Sequence, residues 1–257
     1  MSVFDDLEPE LDRWRGQGLT PRFWLRDDDA IRPTPALDRL LGLIRVYDVP
    51  LLLAVIPAEA TEVLARRIDG ETLATPAVHG YSHRRHTPDG VPAMELGGER
   101  SVEEILDELK AGRERLDRLF GARLSGILVP PWNRLSREVA LRLHETGFTG
   151  LSTNSWHEDG AALPQLNTQI DIVDWADGQR GHSLEWAIGE LLRRLGQARE
   201  RGGAPLGILS HHLVHDEQAW DTLEALIRAL KERGFVFEKA DVLVEEQLRR
   251  QSKRLPS

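Results

Sequence analysis

About seven times between residues 22 and 237, a short apolar run gives way to a longer segment whose apolar positions recur at helical spacing. Strands that all run the same way need a long crossover between them, and a helix is the usual one. A chain with this rhythm therefore builds a parallel sheet covered by helices. Residues 49–56 are almost unbroken apolar sequence ended by Pro57, as a strand buried on both faces requires. Residues 35–47 before them (PALDRLLGLIRVY) have helical period, and Ser101 followed by Glu104 is a capping box that opens a helix to Phe120. Further helices are expected over 59–67, 137–145, 184–199 and 216–233. Strands are expected before His79 and over 124–129, 147–152, 169–173, 206–210 and 234–237. Residues 22–26 bring Phe, Trp and Leu in succession and end in three aspartates, the pattern of a buried strand emerging at a polar rim. At this length the sheet is expected to close into a distorted (β/α)7-type barrel of mostly parallel strands; an open doubly wound sheet is the alternative.

The whole chain, residues 1–257, is expected to be one domain. With 257 residues and 40% hydrophobic content it has enough material for a sizeable core, and it carries no linker-like stretch, repeat or low-complexity tract. A net charge of −9 disfavours nucleic acid as a partner, because phosphates would be repelled over most of the surface. The acidic N-terminal stretch has no apolar core after basic residues, so no signal peptide is read, and the cytoplasm is the expected location. The longest apolar run, residues 49–58, is about half the ~20 residues a membrane span needs. The sequence leaves the oligomeric state open. There is no cysteine, so histidine and carboxylate are the only strong metal ligands to consider.

Six of the nine histidines fall in two short segments, VHGYSHRRH (His79, His83, His86) and LSHHLVHD (His211, His212, His215), each after an expected strand. His79 and His83 are spaced so that both imidazoles can share one cation, and Gly80 between them lets backbone approach closely. HxxxH alone is weak, because a strand-capping His beside a surface His would look the same. Asp27, Asp28 and Asp29 strengthen the case. Three adjacent carboxylates repel one another and need a cation, an Arg or solvent to offset that, although a solvated turn is the bland explanation. Together with the histidine pair, one aspartate completes a set of two imidazoles and one carboxylate that leaves coordination positions open, as a catalytic divalent ion requires; Zn2+ is the first choice.

The segments RDDDA (26–30), HGYSH (79–83), VPPWN (129–133), DIVDW (171–175) and ILSH (208–211) resemble, in order, the five motifs of the polysaccharide deacetylases, the NodB-homology domain of carbohydrate esterase family 4. The resemblance covers nearly the whole chain. It implies a metal-dependent hydrolase that removes an acyl group, acetyl by family analogy, from the nitrogen of an amino sugar or related substrate. It also implies Asp29, His79 and His83 as metal ligands, Asp28 as the base and His211 as the acid. The other register, in which Asp27 is the base and Asp28 the ligand, remains open. Pro131 and Trp132 would form a groove wall for a sugar, and Asp174 with Trp175, or Asp171, would supply a supporting carboxylate. The Arg that the third motif should carry is missing, so the group that tunes the catalytic Asp must come from elsewhere, with Arg26 and Arg134 as candidates. Trp14, Trp24 and Trp186 read as core, whereas Trp132, Trp156 and Trp175 follow strands, where a barrel builds its site. Two rival functions stay in view: a degenerate carbohydrate-binding protein of the same fold, and a metal-dependent phosphoesterase.

Overall fold

The computed structural model describes residues 3–156 and 161–252. In chain order the elements are α1 (Glu8–Gly16), β1 (Arg22–Ala30), α2 (Pro35–Tyr47), β2 (Leu51–Val55), α3 (Glu62–Ile68), β3 (Ala74–His79), α4 (Val102–Phe120), β4 (Ile127–Val129), α5 (Arg137–Arg142) and β5 (Gly150–Leu151). There follow β6 (Ile170–Asp171), β7 (Val173–Asp174), β8 (Arg180–Gly181), α6 (Leu184–Glu200), β9 (Leu206–Ser210), α7 (Glu217–Glu232), β10 (Val236–Phe237) and α8 (Ala240–Ser252).

The main sheet runs in the order β5-β4-β3-β2-β1-β9-β6, and neighbours along it are parallel. Two parallel bridges, Leu151 with Gln165 and Asn154 with Thr168, join the β5 edge to the segment entering β6. These bridges curl the seven-stranded path back on itself, so the architecture is a distorted (β/α)7 barrel and not an open doubly wound sheet. β10 lies off this path and pairs with Arg22 and Phe23 at the start of β1.

Strand side chains alternate between faces, and the barrel uses both. Phe23, Leu25, Leu51, Leu53, Val55 and Val78 point outward into the larger core beneath the helices. Trp24, Leu52, Ala54, Ala77, Ile127 and Val129 point inward and form a second cluster with Ala240, Leu243 and Val244 of α8. Ser125 just before β4 bonds Asp241 (2.6 Å), and Arg22 at the start of β1 pairs with Glu246 (2.9 Å). α8 therefore plugs the N-terminal mouth and leaves the C-terminal rim to carry the chemistry.

Most expected elements appear, with shifts that have local causes. The capping box forms: the Ser101 N–H donates to Glu104 Oε2 (3.0 Å), and Ser101 Oγ accepts from the Glu104 N–H (3.3 Å). α3 begins at Glu62 instead of residue 59, because 56–60 close a tight turn in which the Ala60 N–H reaches the Ile56 carbonyl (3.1 Å). Trp14 and Trp24 are buried, as read. Trp186 is not core: it is 39% exposed and stacks flat on His182, with ring centroids 3.5 Å apart.

Candidate metal centre

β1 does not stop at its aspartates. It runs on to Ala30, and its register against β2 slips between Asp27, opposite Leu53, and Ala30, opposite Val55. Asp28 and Asp29 thus stand together against the single residue Ala54, which is a β-bulge. Asp29 takes a left-handed φ of 73°, a conformation that costs a non-glycine residue ~1 kcal/mol or more and that clusters at functional sites. His83 (55°), Trp132 (54°) and Asn133 (57°) share it, so four such residues meet at this end of the barrel.

The bulge gives three identical side chains three different surroundings. Asp27 is fully buried and turned toward β9; its Oδ2 accepts from Ser210 Oγ (2.6 Å) and the His212 N–H (2.9 Å), while Oδ1 touches His212 Nδ1. Asp28 faces Arg26, whose Nε lies 2.9 Å from Oδ1 and whose Nη2 donates to Oδ2 (3.0 Å). The first of these is an ionic contact without hydrogen-bond alignment; the second is a full hydrogen bond. Asp29 meets the histidines, with Oδ1 3.1 Å from His79 Nε2 and 3.2 Å from His83 Nε2.

His79 ends β3, and its Nδ1–H donates to the Val129 carbonyl (3.0 Å), which turns Nε2 toward Asp29. Such outer bonding is how proteins orient a metal-binding imidazole. The loop to His83 is held from below by Glu95, a fully buried carboxylate that accepts from the N–H groups of Tyr81 (3.2 Å) and Ser82 (2.7 Å) and from Ser82 Oγ (3.0 Å). Asp29, His79 and His83 each offer a ligand atom within 4.8 Å of the others. Burial would raise the Asp29 pKa, but the hydrogen bond from His79 and the charges of His79 and His83 outweigh it and keep the carboxylate ionised. Burial likewise pulls His79 down, yet the Asp28 charge and the Asp29 bond raise it on balance. Burial, then the His79 charge, lower His83. An ionised carboxylate, two aimed imidazoles and a local surplus of negative charge fit a divalent cation.

Gly80, at φ 58°, is fixed by this packing: a Cβ there would collide with Glu95 Oε2 and fall 2.6 Å from Pro131 Cδ. Gly80→Ala is expected to destabilise the protein by ~1–3 kcal/mol, and at ~2–4 °C per kcal/mol for a chain of this class a thermal melt will show it. An unchanged melting temperature would mean the loop is not packed this way.

Opposite the ligand set, His211 follows β9 with Nε2 3.9 Å from Asp28 Oδ2 and Nδ1 3.7 Å from Asp171 Oδ1. Asp171 is held by the Val173 N–H (3.0 Å) and Trp175 Nε1 (2.9 Å), and burial raises its pKa. The Trp175 ring meets His211 edge-on at 4.7 Å. Asp174 turns away instead, accepting from the Ala176 (2.9 Å) and Asp177 (3.2 Å) N–H groups in the β7–β8 turn. Asp171, not Asp174, is thus the carboxylate beside His211. Trp132 lies 4.3 Å from the His83 ring, and the buried Pro131 packs on Gly80, so both edge the site. Trp156 is placed elsewhere, bonded to Gln197 (2.8 Å) and beneath Arg201.

Of the two candidate arginines, Arg134 donates to the Ala93 carbonyl (3.3 Å) and, among the described residues, has no side-chain bond to the aspartates. Arg26 is wholly buried; it also donates through Nη1 to Ser152 Oγ (2.8 Å) and to the Ser152 and Thr153 carbonyls (both 3.1 Å), and through Nη2 to Asn133 Oδ1. Of the two, Arg26 is therefore the one that touches Asp28. Sequence reasoning missed Glu95, Asn133 and Ser152. Nothing in their local pattern marks them, since each matters only through a partner far along the chain.

His215 accepts the His211 N–H at Nε2 (3.3 Å), and burial lowers its pKa to about 4. A histidine held below its unfolded value of ~6.5 stays neutral in the fold while the unfolded chain takes up a proton. Its contribution to stability is therefore full above ~6.5 and is lost as pH falls toward 4. Imidazole NMR should find this ring neutral at pH 5.5; a midpoint near 6.5 would refute the burial argument.

Fold and site together define an α/β barrel with an open Asp-His-His set at its C-terminal rim. The fold is that of the polysaccharide deacetylases, the NodB-homology domain of carbohydrate esterase family 4. An assigned polysaccharide deacetylase from Mycobacterium smegmatis superposes with a TM-score of 0.69 at 18% identity, over 91% of each chain. The peptidoglycan deacetylase PdaC from Bacillus subtilis gives 0.57 at 17% identity, over 91% of this chain and 94% of that one. BA3943 from Bacillus anthracis, a pseudoenzyme of the same family, gives 0.58 at 14% identity, over 88% and 66%. No family model and no curated protein matches the sequence. At these identities the likeness is one of fold.

Proposed function

We propose that this protein is a metal-dependent hydrolase that removes an acyl group, acetyl by preference, from the amide nitrogen of an amino sugar or a related N-acylated small molecule. The observation that carries this reading is the meeting of three ligand atoms from Asp29, His79 and His83 with a carboxylate and an imidazole, Asp28 and His211, 3.9 Å apart beside them. Asp29, His79 and His83 would hold one divalent ion, with Zn2+ the proposed metal. When bound, such an ion lowers the pKa of water toward ~7 and polarises an acyl oxygen.

The chain's own groups supply the proton transfers. Arg26 orients Asp28 and pairs with its charge, so Asp28 accepts a proton from the attacking water as the new C–O bond forms. His211, steadied by Asp171, delivers a proton to nitrogen as the C–N bond breaks. The products are a carboxylic acid and a free amine. An amide nitrogen needs that proton more than an alcohol oxygen does, which is why deacylation of nitrogen is preferred to esterase action. Pro131, Trp132 and Trp175 wall the site, and an indole face suits a sugar ring. Asp174, caught in its turn, is proposed only as support for the segment bearing Trp175.

Among the described residues no helix is long and apolar enough to cross a membrane. The cytoplasm remains the proposed compartment, which favours a small, nucleotide-linked or lipid-linked sugar over a wall polymer. A phosphoesterase with two metals ~3.5–4 Å apart would need more ligands than the one cluster found among the described residues. The test is release of acetate and amine from a panel of N-acetylated mono-, nucleotide- and oligosaccharides with added Zn2+ or Co2+. A metal-loaded enzyme that cleaves phosphate esters and none of these amides overturns the reading. Silence on every substrate favours a binding protein, an outcome for which the pseudoenzyme of this fold is a precedent.

A further inference from the structure

Asp27 takes no part in the proposed proton transfers, yet it is wholly buried. Burying a carboxylate is costly unless it is fully partnered. Among the described residues its side-chain partners come from one short stretch, the end of β9 and the turn after it: Ser210 Oγ at 2.6 Å, the His212 N–H at 2.9 Å, and His212 Nδ1 in close contact. His212 is also wholly buried, and its Nε2 has no hydrogen-bond partner among the described residues, so Asp27 is what holds the ring. The contacts interleave with the reacting groups. Asp27 immediately precedes Asp28 on β1, while Ser210, the last residue of β9, and His212 in the turn after it flank His211. β1 and β9 are already paired in register up to Asp27 and Ser210. Beyond that point the ladder ends and β1 enters its bulge, so backbone pairing no longer sets the spacing of Asp28 and His211.

We propose that Asp27, Ser210 and His212 are positioning residues: a side-chain clamp between β1 and β9 that continues the ladder past its last rung and fixes His211 against Asp28. The clamp rests on the reading of Asp28 and His211 as base and acid. Both side chains of the Asp27–His212 contact are wholly buried, so no solvent competes for it. His211 is tethered on its other side by His215, which accepts its N–H (3.3 Å). The three histidines of LSHHLVHD thus divide into one facing the site and two that aim it.

The test uses the full chain loaded with Zn2+ and compares wild type with Asp27→Asn, His212→Asn and Ser210→Ala. Misplacing a reacting group by ~1 Å can cost ~10²-fold in rate. Asp27→Asn and His212→Asn are therefore expected to lower kcat per bound metal by ~10²-fold with KM and metal content near wild type. Crystal structures of these variants should show His211 Nε2 farther from Asp28 than 3.9 Å. A merely structural role would reduce the yield of folded protein and its melting temperature, but not kcat per metal-loaded site. Wild-type kcat together with an unchanged His211–Asp28 separation would overturn the proposal. If these two variants do not fold, Ser210→Ala, which removes one contact and no charge, decides by the same two readouts with a smaller expected loss. If wild type cleaves no amide, the deacylase reading falls, while the crystallographic separation still decides the clamp.

Discussion

Asp28→Asn is expected to cut turnover by ~10²–10⁴-fold while leaving the metal in place. The substitution keeps the shape of the side chain and removes only its capacity to take a proton. Asp28 is buried and ion-paired with Arg26, and the converging ligand atoms belong to Asp29, His79 and His83, so the cation should not notice the change. Metal content measured on the same sample as kcat separates the two registers of the aspartate run. If Asp28→Asn strips the metal, the ligand is Asp28 and the base is Asp27. The geometry speaks for the other outcome, since Asp27 is enclosed by Ser210 and His212 and has no route to a substrate.

His79→Ala and His83→Ala should each lose the metal and, with it, all turnover. Removing a group that only supports a ligand typically costs 10–100-fold in affinity, and removing one of three protein ligands costs more. Dialysis against a chelator followed by elemental analysis should therefore find far less than one ion per chain in either variant. A double mutant with full metal content would sink the assignment. His79 offers the sharper case, because its Nδ1 bond to the Val129 carbonyl leaves Nε2 no purpose other than the site. Acid should act in the same direction as mutation, since an imidazole that gains a proton ceases to be a ligand.

How much of this could be read from the residues themselves depended on whether the signal was local. β9 appears over residues 206–210 as expected, and α4 with its cap runs as read, because periodicity and a capping box lie within one stretch of chain. The Asp-His-His set was legible for the same reason: rare residue types, placed after apolar runs, mark themselves. What failed was contextual. Three consecutive aspartates look locally like the end of a strand, yet β1 continues through them, because neighbouring strands supply ladder partners and Arg26, Ser210 and the histidines absorb the charge. The expected strand over 147–152 shrinks to Gly150–Leu151, since there the barrel closes through single bridges instead of a full ladder. The choice between Asp171 and Asp174 turned on a two-strand hairpin that no pattern announces. α8 went unread because eight of its thirteen residues are polar or charged, and its buried apolar residues are only Ala240, Leu243 and Val244.

That helix has a bearing on how the protein is made. Ala240, Leu243 and Val244 complete the inner cluster with Trp24, which is synthesised more than 200 residues earlier. Domains generally fold as units, and translation delivers this chain at ~5–20 residues per second. A nascent barrel therefore waits on the order of ten seconds between the emergence of its first strand and the arrival of its plug. During that interval the apolar lining at one end is uncovered while the aspartates and histidines at the other are already present. If the proposed site holds its ion, stable capture is thus expected only after the segment around residue 244 has been made, late in maturation.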